Sequence, residues 1–414
     1  MSADSAFPAN PAPRFAVAQL GARMHYAVPR ILHAAGILER LYTDIIAPSG
    51  CLGGLLHRFT ANERLRRVLA RVPDGIPRAK IAQFPAFALE YHRRQTAARS
   101  AAQLTAAYLW GGREFCRRVI ERGSGQAAGV YTFNSAGLEL LRYARERGLF
   151  TVMEQTIAPA EVEQRLLAEE AEAFPGWEAR GDDQLRAEFA ARERAEWEAA
   201  DLILCGSEFV RWGISACGGP TERCTVVPYG VATPVSLPVR AAPHRPLRVL
   251  TVGAVGLRKG APYIHQAARA LKAQAVFRLV GPFSLLPNAV HQLRDSVELV
   301  GPVPRPDVWK HYAWADVFLL PSSCEGSATV CYEALAAGLP VITTPNAGSV
   351  VRDGVDGFIV PIRNSQAIVE KLELLLSRPE LLADTSRNAL ERATQFTVEK
   401  YAQRLLGALA GQRP

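Results

Sequence analysis

Two glutamates, Glu325 and Glu333, stand eight residues apart around the start of a predicted helix. Four small residues follow the first of them: Gly326, Ser327, Ala328 and Thr329. The N-terminus of a helix offers unpaired backbone N–H groups that bind anions, and small side chains let a phosphate approach them. With about 3.6 residues per turn, the spacing places both carboxylates near one face of the helix. A carboxylate repels phosphate but accepts hydrogen bonds from hydroxyl groups, so the pattern favours a ligand with a central diphosphate and hydroxyl-rich ends, such as a nucleotide-sugar.

A strand, a loop, a helix and a second strand position these glutamates. The apolar run at 317–320 has the length of a strand, and Pro321 stops it because proline cannot donate to a central ladder. Gly338 and Pro340 end the helix, and a second apolar run follows at 341–344. This order predicts a βαβ unit of a parallel sheet. The alternative is a buried structural unit whose two glutamates only face solvent.

Two cations, Arg258 and Lys259, lie on a second glycine-flanked loop. The loop follows a predicted strand at 247–252 and precedes a predicted helix at 263–272. Guanidinium and ammonium groups in such a loop can clamp a diphosphate. The loop does not read GxGxxG, which argues against a dinucleotide-binding fingerprint. The alternative is a pair of solvated surface cations.

The segment from Glu325 through Glu333 to the sequence GVDGFIV at 354–360 resembles the signature of the family 4 retaining glycosyltransferases. The resemblance implies an α/β chain of GT-B fold, with two Rossmann-like domains facing a central cleft. It also implies a C-terminal helix that crosses back to the N-terminal domain. In this family the first glutamate contacts the donor sugar, and the second holds the ribose hydroxyls.

Two positions depart from the family pattern. Ala254 stands where the family often has an arginine, so the resemblance assigns the diphosphate to Arg258 and Lys259 instead. Ala328 replaces the usual glycine, which a bound phosphate tolerates if the backbone φ of this residue is negative. On this basis the catalytic residues are Arg258, Lys259 and Glu325, and the donor-binding residues are Gly253, Gly281, Gly326, Ser327, Ala328, Thr329 and Glu333.

The function implied by the resemblance is that of a hexosyltransferase. It moves a hexose-type sugar, with retention, from a nucleotide-diphosphate sugar to a glycan or lipid-linked acceptor, as in polysaccharide biosynthesis. No DxD motif occurs in the sequence, so we expect no metal and no cofactor beside the donor substrate. Two alternatives stay open: a catalytically silent GT-B donor-binding subunit of a glycan assembly complex, and a nucleotide-sugar epimerase of GT-B architecture.

The acceptor side is predicted in the N-terminal half. A strand at 15–20 leads into a glycine loop and a helix, which resembles the acceptor half of a GT-B enzyme. A strand at 150–153 ends where the family often places a histidine of the catalytic cleft, and this sequence has Glu154 and Gln155 there. The acceptor-side residues are therefore Gly21, Arg23, His25, Glu154 and Gln155. The alternative for His25 is a histidine that lies on the surface or is satisfied within the fold, without a role in the site.

The length of 414 residues predicts two domains, and a composition of 49% hydrophobic and 21% charged residues is typical of a soluble globular protein. We predict a disordered tail at 1–14, an N-terminal domain at 15–238 and a donor-binding domain at 239–395. A C-terminal helix at 396–414 is expected to complete the N-terminal domain. Proline-dense composition around 234–246 marks the boundary between the domains.

Basic residues are concentrated between 51 and 100, where ten Lys and Arg against three Asp and Glu give a charge of +7 (10 − 3). A helix in this segment can lie on an anionic membrane surface or simply carry a solvated face, and both interpretations stay open. No apolar run approaches the roughly 20 residues of a membrane span, and no signal peptide is recognisable. Seven cysteines without a CxxC motif indicate reduced thiols. We therefore expect a cytoplasmic protein, in solution or peripherally at the inner face of the membrane. Nucleic acid is not an expected partner, because the basic stretch lacks a repeating pattern of stacking aromatics.

Overall fold

The computed structural model describes residues 13–47, 71–179, 184–232 and 243–411. The chain divides into two compact units: Met1–Glu154 with Asp183–Ile203, and Gln155–Asp182 with Leu204–Pro414. The predicted tail up to residue 12, the basic segment up to residue 70 and the proline-dense boundary at 233–242 lie outside the described residues. The domain boundaries drawn from the sequence at 238 and 395 stay predictions.

The first sheet contains the strands β1 (Phe15–Gln19), β2 (Leu38–Thr43), β3 (Ile81–Gln83), β4 (Gly129–Phe133), β5 (Phe150–Gln155), β6 (Leu202–Cys205) and β7 (Cys224–Val226). Their order is β3-β2-β1-β4-β5-β6-β7. β1 runs parallel to both β2 and β4, β2 to β3, and β4 to β5. The helices of this part of the chain are α1 (Ala27–Ala34), α2 (Pro85–Ala97), α3 (Ala101–Arg122), α4 (Leu138–Arg145), α5 (Ala160–Ala173), α6 (Arg186–Ala199) and α7 (Glu208–Ala216).

Burial in this sheet follows from its parallel connections. All residues of β1 and β4 are buried, as in parallel strands that crossover helices cover on both faces. α1 presents Val28, Ile31 and Leu32 to the core at the helical spacing of three and four residues. α3 begins after Ser100, whose Oγ accepts the Gln103 N–H and so satisfies one of the unpaired donors of the first turn.

The second sheet contains the strands β8 (Leu247–Val252), β9 (Ala275–Val280), β10 (Val297–Gly301), β11 (Val317–Leu320), β12 (Val341–Thr343) and β13 (Gly357–Ile359). Their order is β10-β9-β8-β11-β12-β13, and every neighbouring pair runs parallel. The helices are α8 (Ala261–Ala270), α9 (Pro287–Arg294), α10 (Arg305–Trp314), α11 (Thr329–Ala336), α12 (Ser365–Ser377), α13 (Pro379–Ala393) and α14 (Val398–Ala410). Two parallel sheets with crossover helices confirm the predicted α/β class with Rossmann-like halves.

The second unit agrees closely with its predicted elements. The strands predicted at 247–252 and 317–320 have those bounds, whereas the helix predicted at 263–272 begins and ends two residues earlier. α14 is held within this unit by Arg404, which donates to the carbonyl oxygens of Pro228 and Tyr229. Among the described residues, no helix combines the length and apolar character needed to cross a membrane.

A buried carboxylate on α6 fixes the turn that follows β4. Glu196 accepts the backbone N–H groups of Ser135 at 2.7 Å, Gly137 at 3.0 Å and Leu138 at 3.2 Å, which caps the start of α4. Burial raises the pKa of Glu196 to about 7, although Arg192 and the three N–H donors oppose the shift. The folded chain therefore binds a proton at this carboxylate more tightly than the unfolded chain does.

We expect Glu196 to make stability depend on pH between about 4.5 and 7. Because its pKa is higher in the folded state, its contribution is fully present below the ordinary value of 4.5 and is lost as pH rises through about 7. The unfolding free energy of the wild type minus that of Glu196→Gln should fall by about 3 kcal/mol across this range. Urea unfolding of both proteins at a series of pH values measures this difference. A difference that does not change with pH would contradict the expectation.

Candidate active site

Two cations and one carboxylate meet in the second unit, and we call Arg258, Lys259 and Glu325 the ion cluster. Lys259 Nζ donates to Glu325 Oε1 at 2.6 Å, and Arg258 Nη1 lies 2.9 Å from Glu325 Oε2. Lys259 and Glu325 are each only 8% exposed, so solvent screens the cluster little. Burial lowers the pKa of Arg258, but the nearby carboxylates, Glu325 first and then Glu163, more than offset this, so the pKa is raised. One carboxylate thus serves two cations, and the cluster keeps one net positive charge.

Glycines make room for the lysine of the ion cluster. The two cations lie in a short 3-10 turn, Leu257–Lys259, shortly after β8. Gly253 has φ 131°, and a Cβ on it would lie 2.5 Å from Lys259 Cε. Gly281 has φ 148°, and a Cβ on it would lie 2.0 Å from Gly253 O. A side chain at either position would collide and strain the backbone, so Gly253 leaves room for Lys259 and Gly281 leaves room for the backbone of Gly253.

The loop after Glu325 is closely packed against neighbouring backbone. A Cβ on Gly326 would lie 2.1 Å from Thr156 O, which no rotamer change can relieve because the opposing atom belongs to the main chain. Ser207 Oγ donates to Gly326 O at 2.5 Å. Ser327 Oγ lies 2.7 Å from Tyr332 OH. These contacts fix the path of the chain just before α11.

The backbone at Ala328 explains how alanine is tolerated there and also corrects one expectation. Its φ is −68°, an ordinary value for an L-residue, so the missing glycine causes no strain. Its N–H donates to Ala347 O at 3.1 Å. The Ala328 N–H therefore has a partner within the fold and is not among the unpaired donors at the start of α11, and the donor-binding role of Ser327, Ala328 and Thr329 stays a prediction.

The spatial relation of the two glutamates differs from the one predicted by helical spacing. α11 begins at Thr329, so Glu325 lies outside the helix and Glu333 lies just over one turn into it. The expectation that both carboxylates share one helix face is therefore wrong. Glu333 belongs to a separate cluster, in which its Oε1 lies 2.9 Å from Arg305 Nη2 and its Oε2 accepts the Tyr312 hydroxyl at 3.0 Å. Glu333 is only 6% exposed, so its carboxylate is held by these two partners rather than by solvent.

Arg305 and Tyr312 were not found from the sequence. Both lie on α10, seven residues apart, which is about two helical turns and therefore one face. Burial and the Glu333 carboxylate raise the pKa of Tyr312 well above its ordinary value, so its hydroxyl stays a donor. The Arg305 side chain is 67% exposed, so it lies on the solvent side of Glu333. Their seven-residue spacing is the sequence signal that could have placed Arg305 and Tyr312 on one helix face.

The predicted acceptor-side loop contains a left-handed turn in the first unit. Met24, His25 and Tyr26 have φ values of 46°, 51° and 59°, although none of them is glycine. Each such residue costs roughly 1–2 kcal/mol, and strain of this kind is concentrated at functional sites. Arg23 Nε lies 3.6 Å from Glu154 Oε1, so two of the predicted residues come together.

The other predicted acceptor-side residues have separate partners. Gly21 donates its N–H to Asp44 Oδ1 at 3.1 Å, and His25 is exposed. Glu154 is buried and accepts the Tyr131 hydroxyl at 2.5 Å. Gln155 lies in the second unit, where its amide donates to Ile157 O at 3.0 Å.

A cavity of about 580 Å³ opens in the first unit. Its lining includes the residues that follow β1, β2 and β4, most of its helical lining comes from α2, and α3 and α6 contribute Tyr108 and Phe189. Most lining side chains are apolar or aromatic, and the one full ion pair among them joins Arg71 Nη1 to Asp44 Oδ2 at 2.5 Å. The lining residues are Leu20, Gly21, Asp44, Ile45, Arg71, Pro85, Ala88, Leu89, Tyr91, His92, Gln95, Tyr108, Phe133, Asn134, Ser135, Ala136 and Phe189.

Residues 236–392 match the sequence profile of the glycosyl transferases group 1. This part of the chain is therefore similar to the group 1 glycosyl transferases, and we call it the matched region. The matched region contains the ion cluster, Glu333 and the two residues that hold Glu333.

Two curated relatives are similar to about half of the chain. The amylovoran biosynthesis glycosyltransferase AmsK of Erwinia amylovora is 32% identical over 197 residues, which are 44% of this chain and 48% of AmsK. The putative colanic acid biosynthesis glycosyltransferase WcaL of Salmonella typhimurium is 30% identical over 223 residues, which are 50% of this chain and 54% of WcaL. The chain thus spans about half the length of these curated relatives.

Solved structures show the fold over nearly the whole chain. HepE of Anabaena, in complex with UDP and glucose, superimposes with a TM-score of 0.64 at 16% identity, over 96% of this chain and all of HepE. Sucrose-phosphate synthase of Thermosynechococcus elongatus gives a TM-score of 0.68 at 18% identity, over 97% of this chain and 98% of the synthase. At such low sequence identity these likenesses show the fold alone, and they confirm the predicted GT-B fold class.

Proposed function

We propose that the chain is a retaining glycosyltransferase that moves a hexose-type sugar from a nucleotide-diphosphate sugar to a glycan or lipid-linked acceptor. The observation that carries the proposal is the buried ion cluster inside the region that matches the group 1 glycosyl transferases. The complex of HepE with UDP and glucose supports a nucleotide-sugar donor. The names of AmsK and WcaL support a place in polysaccharide biosynthesis.

The proposed chemistry places growing negative charge beside the ion cluster. The bond from the sugar C1 to the leaving diphosphate breaks, and the acceptor hydroxyl oxygen bonds to C1 on the same face. The proton of that hydroxyl passes to a phosphate oxygen of the leaving group, so no protein nucleophile is required. Arg258 and Lys259 stabilise the leaving diphosphate without a metal, and Glu325 orients the sugar while it holds both cations.

The cavity of the first unit is the proposed acceptor site. In parallel α/β sheets, ligands bind beyond the carboxyl ends of the strands, which is where Gly21, Asp44 and Asn134 line this cavity. The ring faces of Tyr91 and Tyr108 suit the apolar faces of sugars or a lipid portion of the acceptor. The same proposal includes a cytoplasmic location, with the basic 51–100 segment in contact with the inner face of the membrane.

Nucleotide binding and turnover of the purified chain test the proposed function. Thermal-shift measurements with UDP, GDP and ADP identify the base, and the matching glucose donor is then incubated with and without a disaccharide acceptor. Transfer with retained anomeric configuration, read by NMR, supports the proposal. Binding without turnover favours a silent subunit, and release of an isomerised sugar without acceptor favours an epimerase. A chain that no nucleotide stabilises would contradict all three functions.

Filling the cavity should impair acceptor use alone. Ala88 lines the cavity and is buried, so Ala88→Trp places an indole where the acceptor is proposed to bind. We expect the KM for the acceptor to rise about tenfold or more while the affinity for the nucleotide stays unchanged. Ala97→Trp is the matched control, because Ala97 lies on the same helix but is exposed and does not line the cavity. If both variants had the same acceptor KM, the acceptor would not bind in this cavity.

A further inference from the structure

A second buried carboxylate, Glu170 on α5, receives three hydrogen bonds in the second unit. Its Oε1 accepts from Ser323 Oγ at 2.8 Å and from Arg363 Nε at 2.7 Å. Its Oε2 accepts from the Tyr263 hydroxyl at 2.8 Å. The residue has no exposed surface, and its three donors come from three separate segments of the chain. Glu170 therefore joins segments that are distant in sequence, and it does so through charge-assisted bonds.

One of these donors, Ser323, is bonded to both sides of the ion cluster. The Ser323 N–H donates to Arg258 O at 2.9 Å. Its carbonyl oxygen accepts Asn346 Nδ2 at 2.8 Å, and Asn346 O in turn accepts the Glu325 N–H at 3.0 Å. Ser323 is thus hydrogen-bonded directly to the backbone of Arg258, and it is connected to the backbone of Glu325 through Asn346. A shift of Ser323 would displace both.

The other two donors complete the attachment. Tyr263 lies in the first turn of α8, the helix that begins two residues after Lys259. Burial and the bond to Glu170 raise the pKa of Tyr263, so the phenol stays a donor. Arg363 neutralises the buried charge, with its Nη1 also 2.5 Å from Glu169 Oε2. Each segment that carries part of the ion cluster is therefore bonded, directly or through Ser323, to this carboxylate.

We propose that Glu170 is a positioning residue that holds Arg258, Lys259 and Glu325 in the geometry that binds the donor diphosphate. The inference rests on the proposed function, because the donor site is the one assigned there. A buried charge is costly and could be replaced by an apolar side chain of similar size if it only filled space. Its value here is that one rigid point fixes the relative position of three chain segments. Catalytic groups displaced by about 1 Å can lose about 100-fold in rate.

Glu170→Gln in the full chain tests this role. The amide keeps the size of the side chain but removes the charge and one acceptor, so the Tyr263 and Ser323 hydroxyls can no longer both be satisfied as before. We expect the Kd for UDP to rise about tenfold or more and kcat/KM for the donor to fall by up to about 100-fold, with the acceptor KM unchanged. UDP is the probe for calorimetry, and the donor is UDP-glucose.

Glu196→Gln is the matched control. It also removes a fully buried carboxylate that accepts three hydrogen bonds, but in the first unit, and so it should lower stability without changing the Kd for UDP. Ser323→Ala is the second test variant, since it removes the hydrogen bond by which Glu170 holds the segment before Glu325 and leaves the bonds from Tyr263 and Arg363 intact. It should reproduce the weaker UDP binding even if Glu170→Gln fails to fold.

The outcomes separate the inference from the proposed function. A wild type that binds none of UDP, GDP and ADP overturns the function itself; if GDP or ADP is the nucleotide that binds, it replaces UDP as the probe in every variant. An active wild type whose UDP affinity survives unchanged in Ser323→Ala and in folded Glu170→Gln overturns the positioning role, because loss of stability alone would then describe Glu170. Weaker UDP binding in both variants, with wild-type affinity in Glu196→Gln, supports it.

Discussion

Replacing Lys259 by alanine is expected to lower kcat/KM for the nucleotide-sugar donor by about 100-fold or more. The lysine is buried and directed at Glu325, so its charge acts on the leaving diphosphate with little screening by solvent. The variant keeps the pair between Arg258 and Glu325, and the carboxylate is not left without a cation. The net charge of the ion cluster falls from +1 to zero, which removes the attraction for the leaving group while the fold is retained.

Lys310→Ala is the control for the lysine variant. Lys310 also belongs to the second unit and also pairs with a carboxylate, Asp307, but 79% of its side chain is exposed. An exposed pair of this kind contributes little, so the control should keep wild-type turnover and stability. Steady-state kinetics with the donor varied measure kcat/KM of both variants, and circular dichroism checks that both are folded. Unimpaired turnover by Lys259→Ala would remove the lysine from the proposed chemistry.

The elements of the second unit could be predicted because their signals are local. The apolar runs of β8 and β11 have strand length and end at glycine or proline, and both strands have the predicted bounds. The start of α11 was harder to predict, because the loop before it consists of small residues that are compatible with a helix. Contacts of that loop with Thr156 and Ser207 decide where it ends, and those residues are more than 100 positions away in sequence.

Parts of the site depend on contacts that no periodicity reveals. The pairing of Glu333 with Arg305 and Tyr312 joins α11 to α10, and neither helix pattern indicates it. The left-handed turn at Met24–Tyr26 could not be predicted from residue type, since left-handed turns normally require glycine or asparagine. The motif resemblance supplied the residues of the ion cluster, and the structure supplied the fact that one carboxylate serves both cations.

Replacing Glu333 by alanine is expected to raise the Kd for the matching nucleoside diphosphate by about 10- to 100-fold. The carboxylate is the proposed acceptor for the ribose hydroxyls, and a hydrogen bond to a charged group contributes about 1.5–3 kcal/mol. Tyr312 and Arg305 hold the carboxylate in one orientation, so it can accept the ribose hydroxyls without first being ordered. Calorimetric titration of the variant with the nucleotide measures the change.

Inorganic pyrophosphate distinguishes the role of Glu333 from that of Lys259. Pyrophosphate has the two phosphates of the donor but no ribose, so Glu333→Ala should bind it as the wild type does, whereas Lys259→Ala should bind it more weakly. Removing a negative charge cannot by itself weaken the binding of an anion, and it should if anything strengthen it. Weaker binding of the nucleotide alone therefore requires a lost contact with the nucleoside. Equal losses for both ligands in Glu333→Ala would instead mean that α11 has moved and that Glu333 supports the loop rather than the ribose.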